Sequence, residues 1–260
     1  MSNHVNLVYF SPSGSTKSVI TTLADALDGE RNEFDLLRIL PPQTVTFSAD
    51  SPVVFAVPVF AGRVPAICAD MLAKFKGQNT PAVAIVVYGN REYDDALLEL
   101  TDILKANSFV VVAAAAFVAQ HSIFPIVASE RPDQKDKEAI VSFGKQCTKA
   151  IAACSGNEKI KVKGSSPYCK PGAIPLQPSG DSKCNNCGVC VKICPTKAIA
   201  KETPRKTDKK RCISCTACIS ECPQKARAFH GPMYAVAGKA FAGKNSTRKE
   251  PEVFIADERK

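Results

Sequence analysis

The sequence predicts an α/β chain: a doubly wound, parallel five-stranded sheet first, then a small α+β module built on cysteines. Three observations carry this. Short β-rich runs alternate with helix-like stretches through residue 154, the pattern of a parallel sheet covered by helices on both faces. Between residues 155 and 180 the texture turns to proline and glycine. Beyond that, eight of the 12 cysteines crowd into a segment that repeats itself.

The strand candidates, in order, are VNLVYF (5–10), FDLLRIL (34–40), PVVFAVPV (52–59), AVAIVVYG (82–89) and FVVVAAAAF (109–117). Each is an apolar run of strand length. Helices are expected at about 15–28, 65–76, 93–106 and 134–154. The third carries Leu97, Leu98, Leu100, Ile103 and Leu104 toward one side and Asp94, Asp95, Glu99 and Asp102 on the other, as a helix lying on a sheet must. Pro167, Pro171, Pro175 and Pro178, with four glycines, forbid a regular element in the stretch that follows. The chain therefore divides into an α/β domain (1–154), a linker (155–180), a cysteine module (181–230) and a tail (231–260). The tail holds a short helical candidate at 234–241 and an apolar VFI at 253–255. It reads as a partly ordered end, the alternative being that it packs back onto the first domain.

Charge is uneven. Residues 1–155 hold 13 Lys and Arg against 16 Asp and Glu, while residues 156–260 hold 21 against 9. The first residues show no basic stretch leading a cleavable apolar segment, and FVVVAAAAFVA (109–119) is too short to span a bilayer. A cytoplasmic protein is expected, in which cysteines ligate metal rather than form disulfides.

Each half of the repeat reads C-x2-C-x2-C-x3-C-P: Cys184, Cys187, Cys190, Cys194 and Pro195, then Cys212, Cys215, Cys218, Cys222 and Pro223, 28 residues on. This is the run that holds cubane iron–sulfur clusters. Three closely spaced thiolates take three corners of one cube, and the fourth, turned away at the proline, reaches the cluster of the other copy. Cys184, Cys187, Cys190 and Cys222 are thus assigned to one cluster, and Cys212, Cys215, Cys218 and Cys194 to the other. A pair of zinc sites would also use C-x2-C pairs, but needs only two such pairs per ion, not four cysteines in one run. The segment from 184 to 230 resembles the bacterial two-cluster ferredoxins. Between the copies, KETPRKTDKKR (201–211) is a basic run: a solvated face, or an attraction for an acidic partner.

In an open α/β sheet a ligand sits at the carboxyl ends of the strands. The loops expected there are SPSGST (11–16), VFAGRVP (59–65) and YGNREYDD (88–95). The first offers Ser11, Ser13, Ser15 and Thr16 hydroxyls at a helix N-terminus, with Gly14 letting the backbone close round an oxyanion, though such a turn also caps ordinary helices. No second glycine makes it a P-loop, and no G-x-G occurs anywhere, so nucleotide hydrolysis and dinucleotide binding both lose their main support.

Together YFSPSGSTK, PVFAGRVP and VVYGNREYDDALLEL resemble the flavodoxin-like family over residues 1–150. The resemblance implies FMN, with its phosphate in the first loop and its isoalloxazine between the other two. Phe60 and Tyr93 are then the candidate stacking rings, with Tyr88 in reserve. Gly62 and Gly89 would let backbone approach the ring edge, and Asn90 could hydrogen-bond its rim. The chain lacks a tryptophan to cover the ring, and Lys17 follows the phosphate loop. QHSIFPIVASERPDQ (120–134) is a lid candidate, and His4, His121 and His230 read as surface or capping residues.

The whole chain resembles flavodoxin–ferredoxin fusion proteins. This implies an electron-transfer protein carrying FMN and two [4Fe-4S] clusters, since a flavin exchanges one or two electrons and a cubane one. Its expected partners are redox proteins, acidic ones among them, rather than nucleic acid or a membrane. Two alternatives stay open: a flavin-dependent reductase of a small substrate or quinone fed by the clusters, and a ferredoxin with an FMN-free docking domain.

Overall fold

A computed structural model describes residues 4–27, 29–172 and 174–257. In chain order its elements are β1 (His4–Tyr9), α1 (Ser15–Ala24), β2 (Glu30–Asp35), β3 (Val45–Phe47), β4 (Val53–Pro58), α2 (Ala66–Leu72), β5 (Phe75–Gly77), β6 (Thr80–Tyr88), α3 (Ala96–Ala106), β7 (Phe109–Val118) and α4 (Gln134–Ala152). There follow β8 (Ser179–Gly180), α5 (Val189–Ile193), α6 (Ala217–Ser220), β9 (Arg227–Ala228), α7 (Pro232–Lys244) and β10 (Glu252–Ile255).

The main sheet runs β10-β7-β6-β4-β1-β2. Its first five strands in sequence are mutually parallel. Their order, with β1 between β2 and β4, is that of the flavodoxin-type doubly wound sheet, and it reverses direction between β1 and β4. Side chains of successive strand residues alternate between two cores. Val8, Phe55, Ala84 and Ala114 face one core with Leu72 of α2 and Leu97, Leu100 and Leu104 of α3. Leu7, Val54, Ile85 and Ala115 face the other, with Ile20 and Leu23 of α1 and Ile140 and Phe143 of α4. No helix of the described residues is long and apolar enough to cross a membrane.

Three expectations change. The second strand is Glu30–Asp35 rather than 34–40, because Asp35 turns the chain: its carboxylate accepts from Leu37 N at 3.1 Å. At the sheet edge this strand needs no apolar face, so charged residues hide it from a reading by hydrophobicity. The sheet has a sixth strand, since β10 pairs antiparallel with β7, Phe254 opposite Ala114. The tail is therefore part of the first domain's sheet, not a loose end. A small parallel pair, β3 with β5, is an addition, packed where Phe34, Phe47 and Phe75 meet.

In the cysteine module the repeat reaches the backbone itself. Left-handed residues recur at the same offset: Asn186 with Ser214 (φ 60 and 54), Gly188 with Thr216 (78 and 70), Lys197 with Lys225 (52 and 49). Gly188 and Thr216 each open a short helix, α5 and α6. β8 and β9 pair antiparallel to close the module.

Candidate cofactor sites

The repeat brings its cysteines together crosswise. Cys184, Cys187 and Cys190 share one small cavity with Cys222 of the second copy. Around Cys215, burial raises the thiol to about 12, and the nearby thiols Cys218, Cys194 and Cys212 push the same way. Cys194 thus stands with the second copy's first three. The fourth cysteine of each copy accepts a backbone N–H from four residues on: Ala198 N to Cys194 Sγ at 3.2 Å and Ala226 N to Cys222 Sγ at 3.3 Å. Ser214 N donates to Cys212 Sγ at 3.4 Å. Such bonds to ligand sulfur stabilise thiolates and raise cluster potentials.

Four thiols held around one closed space fit a polynuclear centre. Burial raises the Cys190 thiol, and a bound metal would displace its proton. Among the described residues no three His, Cys, Asp or Glu side chains converge as ligands of a single ion. A cubane does not require that, since each thiolate binds a different iron. Cys187 is the exposed member of its set, whereas Cys215 and Cys218 are buried.

At the carboxyl edge of the main sheet, Gly14 (φ 86) opens α1 and has no side chain of its own to cap the first turn. A Cβ there would meet nothing within 4 Å, so the space before these helix N–H groups is open. Ser11 Oγ accepts from Lys17 N at 2.8 Å, and Ser13 Oγ donates to Ser15 Oγ at 3.3 Å, which closes the loop on itself at the helix N-terminus. Thr16 is buried beneath it. The donor set fits a phosphate. Lys17 points elsewhere, its Nζ 4.0 Å from Glu33.

The loop after β4 is a tight hairpin in which Phe60 and Arg63 exchange backbone hydrogen bonds of 3.0 and 3.2 Å. Ala61 and Gly62 (φ 52 and 83) make its turn. A side chain at Gly62 would run into Asp94, so this loop and the one after β6 touch. Beside them lies a cavity of about 540 Å³. Gly62, Tyr88 and Gly89 line it, together with Arg91, His121 and Phe241. Its size and flat walls suit a ring system, with tyrosine, imidazole and phenyl groups to cover it.

Three residues given cofactor contacts from sequence lie elsewhere. Tyr93 is fully buried, its hydroxyl donating to Glu252 Oε2 of β10 at 2.8 Å, so its ring belongs to the core. Asn90 spends its amide on the tail, donating to Asn245 O and Thr247 O at 2.8 and 2.9 Å. Phe60 faces a second cleft, described below. Conversely, His121 is a wall of the cavity rather than a surface residue, and the 120–134 segment is fastened down, Phe124 stacking on Tyr234 of α7 at 5.4 Å. Sequence reasoning names the loop that carries Arg91 but gives neither Arg91, His121 nor Phe241 a place at the cavity. Arg91 and His121 come from neighbouring loops of the sheet, and Phe241 joins them only because the tail returns.

The linker is docked along the same edge. Asp95 accepts from Ser165 N and Cys169 N at 2.7 and 2.6 Å, and Arg63 Nη1 donates to Cys169 O at 2.8 Å. Those bonds hold the Asp95 carboxyl below its usual range, the Cys169 amide first. The cysteine module sits against the first loop, Ser220 Oγ donating to Pro12 O at 2.7 Å. The second cleft lies between the two units: Phe60, Arg63 and Pro65 face Cys212, Ile213 and Ser214 across it.

Residues 183–226 match the 4Fe-4S dicluster domain family. Comparison with curated proteins returns no match. Among solved structures the chain is similar to a flavodoxin from the domain Archaea, at 12% identity over 57% of this chain and 99% of that one, with a TM-score of 0.43. It is also similar to rubredoxin oxygen:oxidoreductase from the anaerobe Desulfovibrio gigas, at 16% identity over 58% of this chain and 37% of that one, TM-score 0.44. A short-chain flavodoxin associated with a non-canonical PDU bacterial microcompartment gives 16% identity, 58% and 99% coverage and a TM-score of 0.42. By its own strand order and by the matched segment, the chain joins a doubly wound α/β unit of flavodoxin topology to an iron–sulfur domain.

Proposed function

We propose that the chain is an electron-transfer protein in which FMN, held at the carboxyl ends of β1, β4 and β6, exchanges electrons with two [4Fe-4S] clusters and through them with redox partner proteins. One observation carries this reading: the loop bearing Cys212 faces the Phe60 hairpin across a single cleft, so the two candidate cofactor regions adjoin. When bound, FMN supplies a two-electron store that empties one electron at a time, and each cubane a one-electron site.

The chain's own residues then divide the work. Ser11, Ser13, Gly14, Ser15 and Thr16 would anchor the phosphate, and Gly62, Tyr88 and Gly89 would border the ring, joined by His121 and Phe241. The quartets Cys184, Cys187, Cys190, Cys222 and Cys194, Cys212, Cys215, Cys218 would hold the cubanes. The second lies against the α/β unit: Cys215 is close enough to Cys68, on the buried side of α2, to add to the burial that raises that thiol. The first ends at exposed Cys187, where a partner can approach. Eight cysteines given to clusters and four left as thiols, Cys68, Cys147, Cys154 and Cys169, suit the reducing cytoplasm.

Anaerobic preparation followed by assays of iron, sulfide and extractable flavin tests the reading. The expected result is about eight iron atoms and one FMN per chain. Iron without flavin would leave a ferredoxin with an empty docking domain, and neither would overturn the proposal altogether.

A further inference from the structure

At one buried position the two copies of the cysteine repeat differ in chemistry. Ile199 and Arg227 are equivalent by the 28-residue offset, and both are buried, 3% and 2% exposed. Ile199 packs against Cys190 and Cys218, one thiol from each quartet. Arg227 lines the cavity of Cys184, Cys187, Cys190 and Cys222.

Burying a guanidinium is costly unless its donors are paired and its charge answered. Nη1 donates to Pro204 O, and Nη2 donates to Pro178 O at 3.0 Å and to Thr207 Oγ1. These partners fix the plane of the group but none is an anion. Nε is the buried side-chain nitrogen left without a partner among the described residues. A buried donor without a partner, on a side chain that lines a thiol-walled cavity and carries an unanswered positive charge, asks for an anion that accepts through sulfur. Cubanes with four thiolates are anionic, and their sulfurs accept such bonds.

We propose that Arg227 is a positioning residue for the clusters: its Nε–H donates to a sulfur of the cluster held by Cys184, Cys187, Cys190 and Cys222, and its fixed charge raises the reduction potential of both clusters. The inference rests on the reading of the eight cysteines as cluster ligands. Cys190 Sγ and Arg227 Nη1 both donate to Pro204 O, and Cys190 packs with Cys218 of the other quartet, so a charge beside the first quartet lies close to the second as well. Because the group is buried, salt does little to screen it, unlike the exposed lysines of the 201–211 insert. Ile199, its mate in the repeat, brings no charge.

The test is a redox titration of the holoprotein followed by electron paramagnetic resonance, on wild type, Arg227→Met, Arg227→Lys and Lys206→Gln. Arg227→Met should lower both potentials, the more affected one by about tenfold in its one-electron equilibrium, or about 59 mV. Arg227→Lys, which keeps a charge but loses the fork, should fall between, and Lys206→Gln should move little. A merely structural Arg227 would reduce iron loading without moving the potentials of the loaded protein. Fully loaded Arg227→Met with both potentials within about threefold of wild type would overturn the inference, whereas wild type without iron would overturn the ligand reading instead. Should Arg227→Met not load, wild type carrying heavy nitrogen in its arginine side chains decides. Hyperfine coupling to the reduced clusters that Arg227→Lys abolishes supports the bond, and no such coupling overturns it.

Discussion

His121 shows how one side chain ties cavity, turn and pH response together. Its Nδ1 accepts backbone N–H bonds from Ile123 and Phe124, at 3.2 and 3.0 Å. Its ring lies 4.7 Å from Phe241, and a Cβ on Gly89 would strike it at 2.5 Å from Cδ2. Protonating Nδ1 would turn an acceptor into a donor facing two donors. Burial accordingly pushes the pKa down to about 4, with Arg91 adding to it. An unfolded chain binds this proton from about pH 6.5 downward, so the folded state loses stability as pH falls from there through about 4. Over that window the loss amounts to roughly 3 kcal/mol. His121→Asn retains an acceptor for the two amides and does not titrate. Urea unfolding of both proteins between pH 7 and about 4.5 should show a shallower decline in the variant; parallel curves would assign the acid sensitivity elsewhere. The sequence reads His121 as a surface or capping residue, and its bonds to Ile123 and Phe124 are of the second kind. Its burial is not visible there, because the residues that enclose it come from β6 and α7.

At the scale of elements, the tail is the main departure from expectation, and Asn90 is the latch that holds it. Besides its two donated bonds, Asn90 Oδ1 accepts from Lys249 N at 3.1 Å, all within a residue 2% exposed. Arg131 continues the clasp: Nε donates to Asp136 Oδ2 at 2.7 Å and Nη1 to Lys249 O at 2.8 Å. Arg248 of the tail reaches Asp133 and Asp136 at the start of α4, at 2.6 and 3.1 Å. Asn90→Ala strands several buried groups at once and should cost about 3 kcal/mol. By contrast Lys135→Ala, which breaks an exposed pair with Glu250, should cost under about 1 kcal/mol. Urea midpoints measure both, and limited proteolysis should free residues 245–257 far earlier in Asn90→Ala. Equal effects of the two substitutions would mean that the strand pairing of β10, not the latch, holds the tail. Four of the five parallel strands, β1, β4, β6 and β7, and the helices that cover them are legible because each carries its own apolar period. β10 was not, because VFI becomes a strand only beside β7, and β2 hid behind its edge charges.

Across the whole molecule, besides the Ser220–Pro12 hydrogen bond, two kinds of contact join the α/β unit to the cysteine module. One is apolar: Phe124 and Ile123 of the first unit, Ile174 and Leu176 of the linker, Ile219 and Phe229 of the module and Tyr234 of α7 form a third core. The other is an exposed ion pair, Arg38 with Glu221 at 2.6 Å. The first should dominate, since burying several large side chains is worth several kcal/mol and an exposed pair under about 1 kcal/mol. The cleft between Phe60 and Cys212 should therefore keep its width as salt is added. The basic insert behaves differently: Lys201, Arg205, Lys206, Lys209, Lys210 and Arg211 are all exposed, and whatever they attract is screened once the Debye length shrinks to a few Å. Laser-flash reduction of the holoprotein between about 0.05 and 0.5 M salt separates the two. Flavin-to-cluster transfer within the molecule should hold within about twofold. Reduction of an added acidic acceptor protein should fall by about tenfold or more. An internal rate that fell with salt would mean that charge, not the apolar core, sets the cleft. An external rate indifferent to salt would make the insert a solvated face and move partner docking to another part of the module.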